Sequence, residues 1–185
     1  HDDAVEATAA LRSGRGVNAD ARLAVGVAPG TSPGRIGADA PLQLSATAEL
    51  ATLRYVQPWV GTAAVVDGAA RVELAGGGTV GRPTLTGTLK GSGLRIDAAD
   101  YGLHFTDGRL AATLADGVLR LDELFLAGGS GRFTASGTLA RAQDSQHGPE
   151  RALAQIAWQA ERFRVFNRPD LRLVATGAGT LAIAD

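Results

Sequence analysis

"LRLVATGAGTLAI" (residues 171–183) decides how this chain is read. Leu171, Leu173, Ala175, Gly177, Gly179, Leu181 and Ile183 fall on one side of an extended chain, with Arg172, Thr176 and Thr180 on the other. Successive side chains of a strand point to opposite faces, so the stretch is a strand with one apolar face. Fully extended it would span roughly 40 Å, well beyond the usual strand of about 5–6 residues. A strand that long does not suit a closed sandwich. One that bends at Gly177 or Gly179, where no Cβ resists a close approach, suits a curved sheet.

The same period of two runs outward from there. Val17, Ala19, Ala21, Leu23, Val25 and Val27 alternate the same way, as do Leu42, Leu44, Ala46, Ala48 and Leu50. Asp-Gly recurs at Asp67-Gly68, Asp107-Gly108 and Asp116-Gly117, always between apolar alternations. That dipeptide favours the positive φ of two-residue hairpin turns and predicts antiparallel neighbours at all three places. One segment departs from the pattern. In "LATLRYVQPWVG" (50–61), Leu50, Leu53 and Val56 stand at helical spacing before Pro58, which predicts a short helix. Residues 28–41 and 142–150, rich in turn formers, read as irregular connections. "TLTGTL" (84–89), "TASGTL" (134–139) and "TGAGTL" (176–181) share an ending, which predicts that Gly87, Gly137 and Gly179 lie near one another at a shared bend.

Two glycine clusters invite a nucleotide-binding reading. "GGGTVG" (76–81) matches G-x-G-x-x-G at Gly76, Gly78 and Gly81. A dinucleotide fold, however, needs a helix N-terminus next, to receive the pyrophosphate, and here Arg82-Pro83 leads into the strand-like "TLTGTLKG". "GGSGRF" (128–133) lacks the Lys-Ser/Thr of a phosphate loop and also runs into a strand. Both read as turns.

Composition excludes several further classes. Eighteen basic residues, all Arg but Lys90, stand dispersed among nineteen acids, so there is no basic stripe for nucleic acid. The absence of Cys excludes a disulfide framework and thiolate catalysis. The longest apolar runs, such as "AAVV" (63–66), fall far short of the roughly 20 residues that span a bilayer. His1, His104 and His147 stand far apart and none sits in H-E-x-x-H, so no metal or cofactor is expected. No Ser-His-Asp trio can be proposed from spacing. The acids of "IDAAD" (96–100) and "LDEL" (121–124) read as turn and strand-end residues. The expectation is a protein that is not an enzyme. With no Met anywhere, His1 does not read as a native start, and the chain reads as a single segment, 1–185, of a longer protein.

The ordered series of Gly, Pro, Asp-Gly and Gly-Thr-Leu marks in "GTVGRPTLTGTLKGSGLRIDAADYGLHFTDGRLAATLADGVLRLDELFLAGGSGRFTASGTL" (78–139) resembles the C-terminal region of the TamB family. "ERFRVFNRPDLRLVATGAGTLAI" (161–183) and "LATLRYVQPWVGTAAVVDGAARVELAGGGTVGRP" (50–83) extend the likeness. It covers roughly residues 42–183, while residues 1–41 show only alternating strands. TamB is the inner-membrane partner in the translocation and assembly module of Gram-negative bacteria. The resemblance implies an elongated, mostly antiparallel sheet curved into an open half-pipe, the β-taco, with an apolar concave face. It also implies a periplasmic location behind an N-terminal membrane anchor, and a partnership with TamA, an outer-membrane barrel of the Omp85 type. The roles implied are phospholipid transport between the membranes and assembly of outer-membrane proteins, secreted autotransporters among them.

Leu119, Leu121, Leu124, Leu126, Phe133, Leu139, Leu171, Leu173 and Leu181 are the predicted lining of the groove, with a bulge at Asp122-Glu123 absorbing the change of phase between Leu121 and Leu124. An aliphatic trough takes acyl chains out of water at about 0.8 kcal/mol per CH₂ and lets them slide, since dispersion contacts have no direction. The competing expectation is a module that holds outer-membrane β-strands by adding them to a free sheet edge. A glycan-processing or adhesive sandwich has little in its favour, the chain having few aromatic platforms.

Overall fold

The computed structural model describes residues 4–14, 16–26, 37–61, 63–142 and 151–184. The expected connections at 28–41 and 142–150, with His1 and His147, fall largely or wholly outside the described residues. Ten strands follow one another: β1 (Ala4–Ser13), β2 (Val17–Gly26), β3 (Leu42–Leu50), β4 (Val65–Thr79), β5 (Arg82–Ala98), β6 (Leu103–Ala115), β7 (Val118–Gly128), β8 (Gly131–Ala142), β9 (Arg151–Asn167) and β10 (Arg172–Ala184). They form one antiparallel sheet in which the spatial order is the chain order. Each strand pairs only with the one before it and the one after it, so among the described residues β1 and β10 are the outermost strands and the sheet is open. The fold is all-β, and among the described residues no second sheet packs on the first.

The short helix expected at 50–61 is present as a 3₁₀ turn (Leu53–Val56) running into α1 (Gln57–Val60). Thr52 caps it, its Oγ1 accepting from Arg54 N at 3.2 Å. Its position has a physical sense. β3 pairs with β4 only at Ala70–Gly76, which leaves Val65–Ala69 without a β3 neighbour. The helical turn sits against β4 there and covers what would otherwise be a bare edge. Asp67 fastens it, accepting from Thr52 Oγ1 (2.7 Å), Arg54 Nε (2.8 Å) and Gly68 N (2.8 Å).

Only one of the three Asp-Gly pairs is a hairpin turn. Asp116 and Gly117 join β6 to β7 with φ of 52° and 73°, the left-handed pair that a two-residue turn requires. Asp67-Gly68 instead lies inside β4, and Asp107-Gly108 inside β6, each at a shift of pairing register. The sequence signal misleads because a bulge asks for the same positive φ as a turn, and Asp107 and Gly68 supply it at 53° and 132°. Each glycine cluster contains a turn, Val80-Gly81 between β4 and β5 and Gly129-Ser130 between β7 and β8, but Gly76, Gly77 and Gly78 are themselves paired in β4. β10 shifts register between Ala175 and Gly177, where the long strand was expected to bend.

Gly87, Gly137 and Gly179 do not gather at one bend. They stand on β5, β8 and β10, each beneath a different neighbour: Leu74 and the Glu73 carbonyl, the Gln155 carbonyl, and the Trp158 indole. What they share is a need for a bare Cα under an overlying group.

Candidate functional site: an uncovered apolar face

Cross-strand partners share a face, so the pairing register carries one face across the whole sheet. Starting from Leu44 and Ala46 on β3, it passes through Leu23 and Ala21 of β2 to Ala7 and Ala9 of β1. In the other direction it passes through Leu74 of β4, Gly87 and Leu89 of β5, and Ala112 and Leu114 of β6. It then continues through Leu119 of β7, Leu139 of β8 and Ala154 of β9 to Ile183 of β10. From β1 to β7, outside the bulges, no position on this face holds Asp, Glu, Lys or Arg. Nothing covers it. The buried apolar side chains of the described residues are five alanines and Phe163, while Leu139, Leu181 and Ile183 are 46%, 51% and 51% exposed. A monomer seldom leaves so long a contiguous apolar surface wet unless the surface is used.

Eight of the nine predicted lining residues lie in the sheet, and seven follow directly from the register. Leu119 stands opposite Leu139, Leu121 opposite Gly137, Leu124 opposite Ala135 and Leu126 opposite Phe133. Leu181 joins them through Ile156, which also faces Gly137. The pairing slips between Leu121 and Leu124, so the bulge at Asp122-Glu123 is where the change of phase placed it. Leu173 pairs with Phe166 at the start of β10. Leu171 lies just before that strand, in a turn where Arg168 N donates to its carbonyl. Two shallow depressions lie on the face, one of about 270 Å³ beside Ala9, Ala19, Ala48 and Val72. The other, about 400 Å³, is floored by Leu74, Gly87 and Leu114.

Sequence reasoning missed the aromatic cluster at one rim. β9 runs on past the short β7–β8 turn and leans across it, so that Phe163 stacks on Phe105 of β6 with ring centroids 5.0 Å apart. Phe133 lies 5.5 Å from Phe163 and 6.4 Å from Trp158. Strands β6 and β9 are separated by two others, so the sheet must roll here toward its apolar face. Gly128 makes the approach possible, since a Cβ there would stand 2.7 Å from the Phe163 ring. Asn167 N then donates to the Gly102 carbonyl at 2.9 Å, tying the end of β9 to the turn before β6. Of these aromatics only Phe133 stood in a recognisable alternation. Trp158 and Phe163 are five residues apart and share a face only because a bulge at Arg162, with φ of 43°, intervenes.

The opposite face carries the charge. Arg71 reaches Glu49 (2.6 Å) and Glu73 (2.8 Å), Arg132 reaches Glu161 (2.8 Å), and Arg109 lies near Glu123 (3.4 Å) and over the Phe125 ring (4.1 Å). Of the acids read as turn and strand-end residues, Asp122 and Glu123 instead lie inside β7 and pair with Arg120 and Arg109. Thr113 donates to Asp122 and, with Arg120, holds its carboxyl below the usual range. His104 Nδ1 lies 3.1 Å from Asp97 Oδ2. Among the described residues no three His, Cys, Asp or Glu side chains are grouped to hold a metal ion, and no helix is long and apolar enough to cross a membrane. What the arrangement can do chemically is to offer a broad aliphatic surface, neutral and without directional bonds, backed by a hydrated charged one.

No protein-family model, curated protein or solved structure matches the chain.

Proposed function

We propose that this chain is a periplasmic segment of a TamB-like protein whose apolar face forms a trough for phospholipid acyl chains in transit between the inner and outer membranes. The single observation that carries the reading is the uncovered aliphatic face, uncharged from β1 to β7 and continuous through ten strands. A face of this kind holds acyl chains by area alone, at about 0.8 kcal/mol per CH₂, and opposes their sliding with no directional bond. Conduction of that sort asks for no catalytic group. In this reading the full-length protein is anchored in the inner membrane and works with an outer-membrane barrel of the TamA type.

The test is photocrosslinking of lipid in cells at face positions neighbouring Leu173, in the full-length protein. Leu173→Asp places a carboxylate in the apolar path, where an unpaired charge costs several kcal/mol unless water follows it in. Crosslinking beyond that point and outer-membrane integrity should both fall. Arg172→Glu, one residue along and on the charged face, should leave both intact at equal abundance. Equal behaviour of the two variants rejects the trough. The open sheet supports a second reading, in which a client outer-membrane β-strand adds to one of its edges. Purified protein that carries no phospholipid yet binds barrel-strand peptides would favour it.

A further inference from the structure

On the reading of the apolar face as an acyl path, we propose that Arg164 is its headgroup site, taking the phosphate of an anionic phospholipid whose chains lie on that face. The overhang of β9, residues 162–167, carries Arg162 and Arg164 and no acid. The acids flanking it already have cations: Arg132 holds Glu161 at 2.8 Å and Arg168 holds Asp170 at 3.0 Å. Among the described residues Arg164 has no anionic partner, and its Nε is the one buried side-chain N or O atom without a hydrogen bond. A half-buried guanidinium in that state is under-solvated, and phosphate, which it can grip with two parallel hydrogen bonds, is the anion that suits it.

Its position couples this cation to the apolar face. A Cβ at Gly128 would stand 2.7 Å from the Phe163 ring, and one at Gly129 would stand 2.8 Å from Arg164 Cζ. Ring and guanidinium therefore lie over neighbouring residues at the β7–β8 turn. Consecutive Cα atoms are about 3.8 Å apart, so apolar surface and cation meet within the length of a glycerophosphate. The meeting point is a rim, because β9 has outrun β8, whose pairing with it ends at Arg132 and Glu161. Both flanks of the overhang are filled from within the chain. Arg164 pairs with Val174 of β10 on one side, and the turns at Gly102 and Gly129 lie against the other. Arg22 makes the contrast: it too has no anionic partner among the described residues, but it stands between Thr8 and Ser45 in mid-sheet on the charged face, away from any rim.

The probe is dihexanoylphosphatidylglycerol below its micelle concentration, titrated into the purified chain and read by NMR at the Arg164 Nε–H and at the amides of Leu119 and Leu139 on the apolar face. Both sets of signals should move with one Kd. Dihexanoylglycerol, the same chains without phosphate, should move the amides alone and bind about tenfold more weakly. Arg164→Gln should weaken binding of the phosphatidylglycerol probe about tenfold and leave that of dihexanoylglycerol unchanged, while Arg164→Lys, which keeps the charge, should fall between. Arg22→Gln removes the same charge elsewhere and should change neither. Amides that move while the Arg164 Nε–H does not, with Arg164→Gln binding like the native chain, would overturn the headgroup site and leave the acyl path standing. The absence of any shift with either lipid would overturn both. Inorganic phosphate that moves the Arg164 Nε–H at the same concentration as the lipid probe would overturn the lipid as the source of the anion.

Discussion

Removing the Phe163 ring should loosen one rim of the sheet and leave the far strands untouched. Phe163 is 6% exposed, stacks on Phe105 and packs tilted against Phe133, and its ring lies over Gly128. Phe→Ala in a core costs about 3–5 kcal/mol. The low end applies here, because Phe105 and Phe133 are themselves half-exposed and water can enter the space the ring leaves. About 3 kcal/mol is roughly two decades in an opening equilibrium at 1.36 kcal/mol per decade. The reporter is the amide of Asn167, which donates to Gly102 across the rim. Its hydrogen exchange in Phe163→Ala, followed by NMR, should quicken about a hundredfold. Amides of β3, joined to this rim only through the strands between, should exchange as before, since each strand leans on its neighbours. Uniform acceleration from β2 to β10 would refute the reasoning by showing a sheet that opens as one unit. A change at Asn167 below about threefold would refute it from the other side, by showing that the ring does not hold the rim.

Asp67 gives a pH signature. Thr52, then Gly68 and Arg54, lower its pKa from 3.8 to about 2, so its contribution to stability is present above 3.8 and lost as pH falls toward 2. Urea midpoints on either side of that window should separate for the native chain and converge for Asp67→Asn. At the β6–β7 turn, Gly117→Val forces a branched side chain to φ of 73°, at a cost of about 1–2 kcal/mol. Thermal melts should then shift down by roughly 2–4 °C per kcal/mol, and an unchanged melt would mean the turn relaxes to another type.

Much of the architecture was legible because alternation is a local signal. Residues 17–26 and 42–50 show it cleanly, and they are β2 and β3. The bulge at Asp122-Glu123 was legible too, since two runs of leucine out of step with each other can share one face of a strand only if an extra residue stands between them. Asp67-Gly68 and Asp107-Gly108 were misleading for a physical reason: positive φ serves turn and bulge alike, and only the cross-strand partner tells them apart. The Phe105–Phe163 stack was out of reach, because it depends on β9 outrunning the β7–β8 turn, a relation between strand lengths that neither segment displays alone.

A sheet whose strands lie in the order they are synthesised is also a ruler. Nine gaps of about 4.8 Å separate β1 from β10, so its breadth measured along the sheet is about 43 Å. Inserting or deleting one hairpin changes that breadth by about 10 Å and disturbs only the two seams where it joins. Strand direction, face and register elsewhere are preserved as long as strands come and go in pairs. The distance such a chain can bridge is therefore counted in hairpins, and selection can lengthen or shorten it in steps without redesigning any surface.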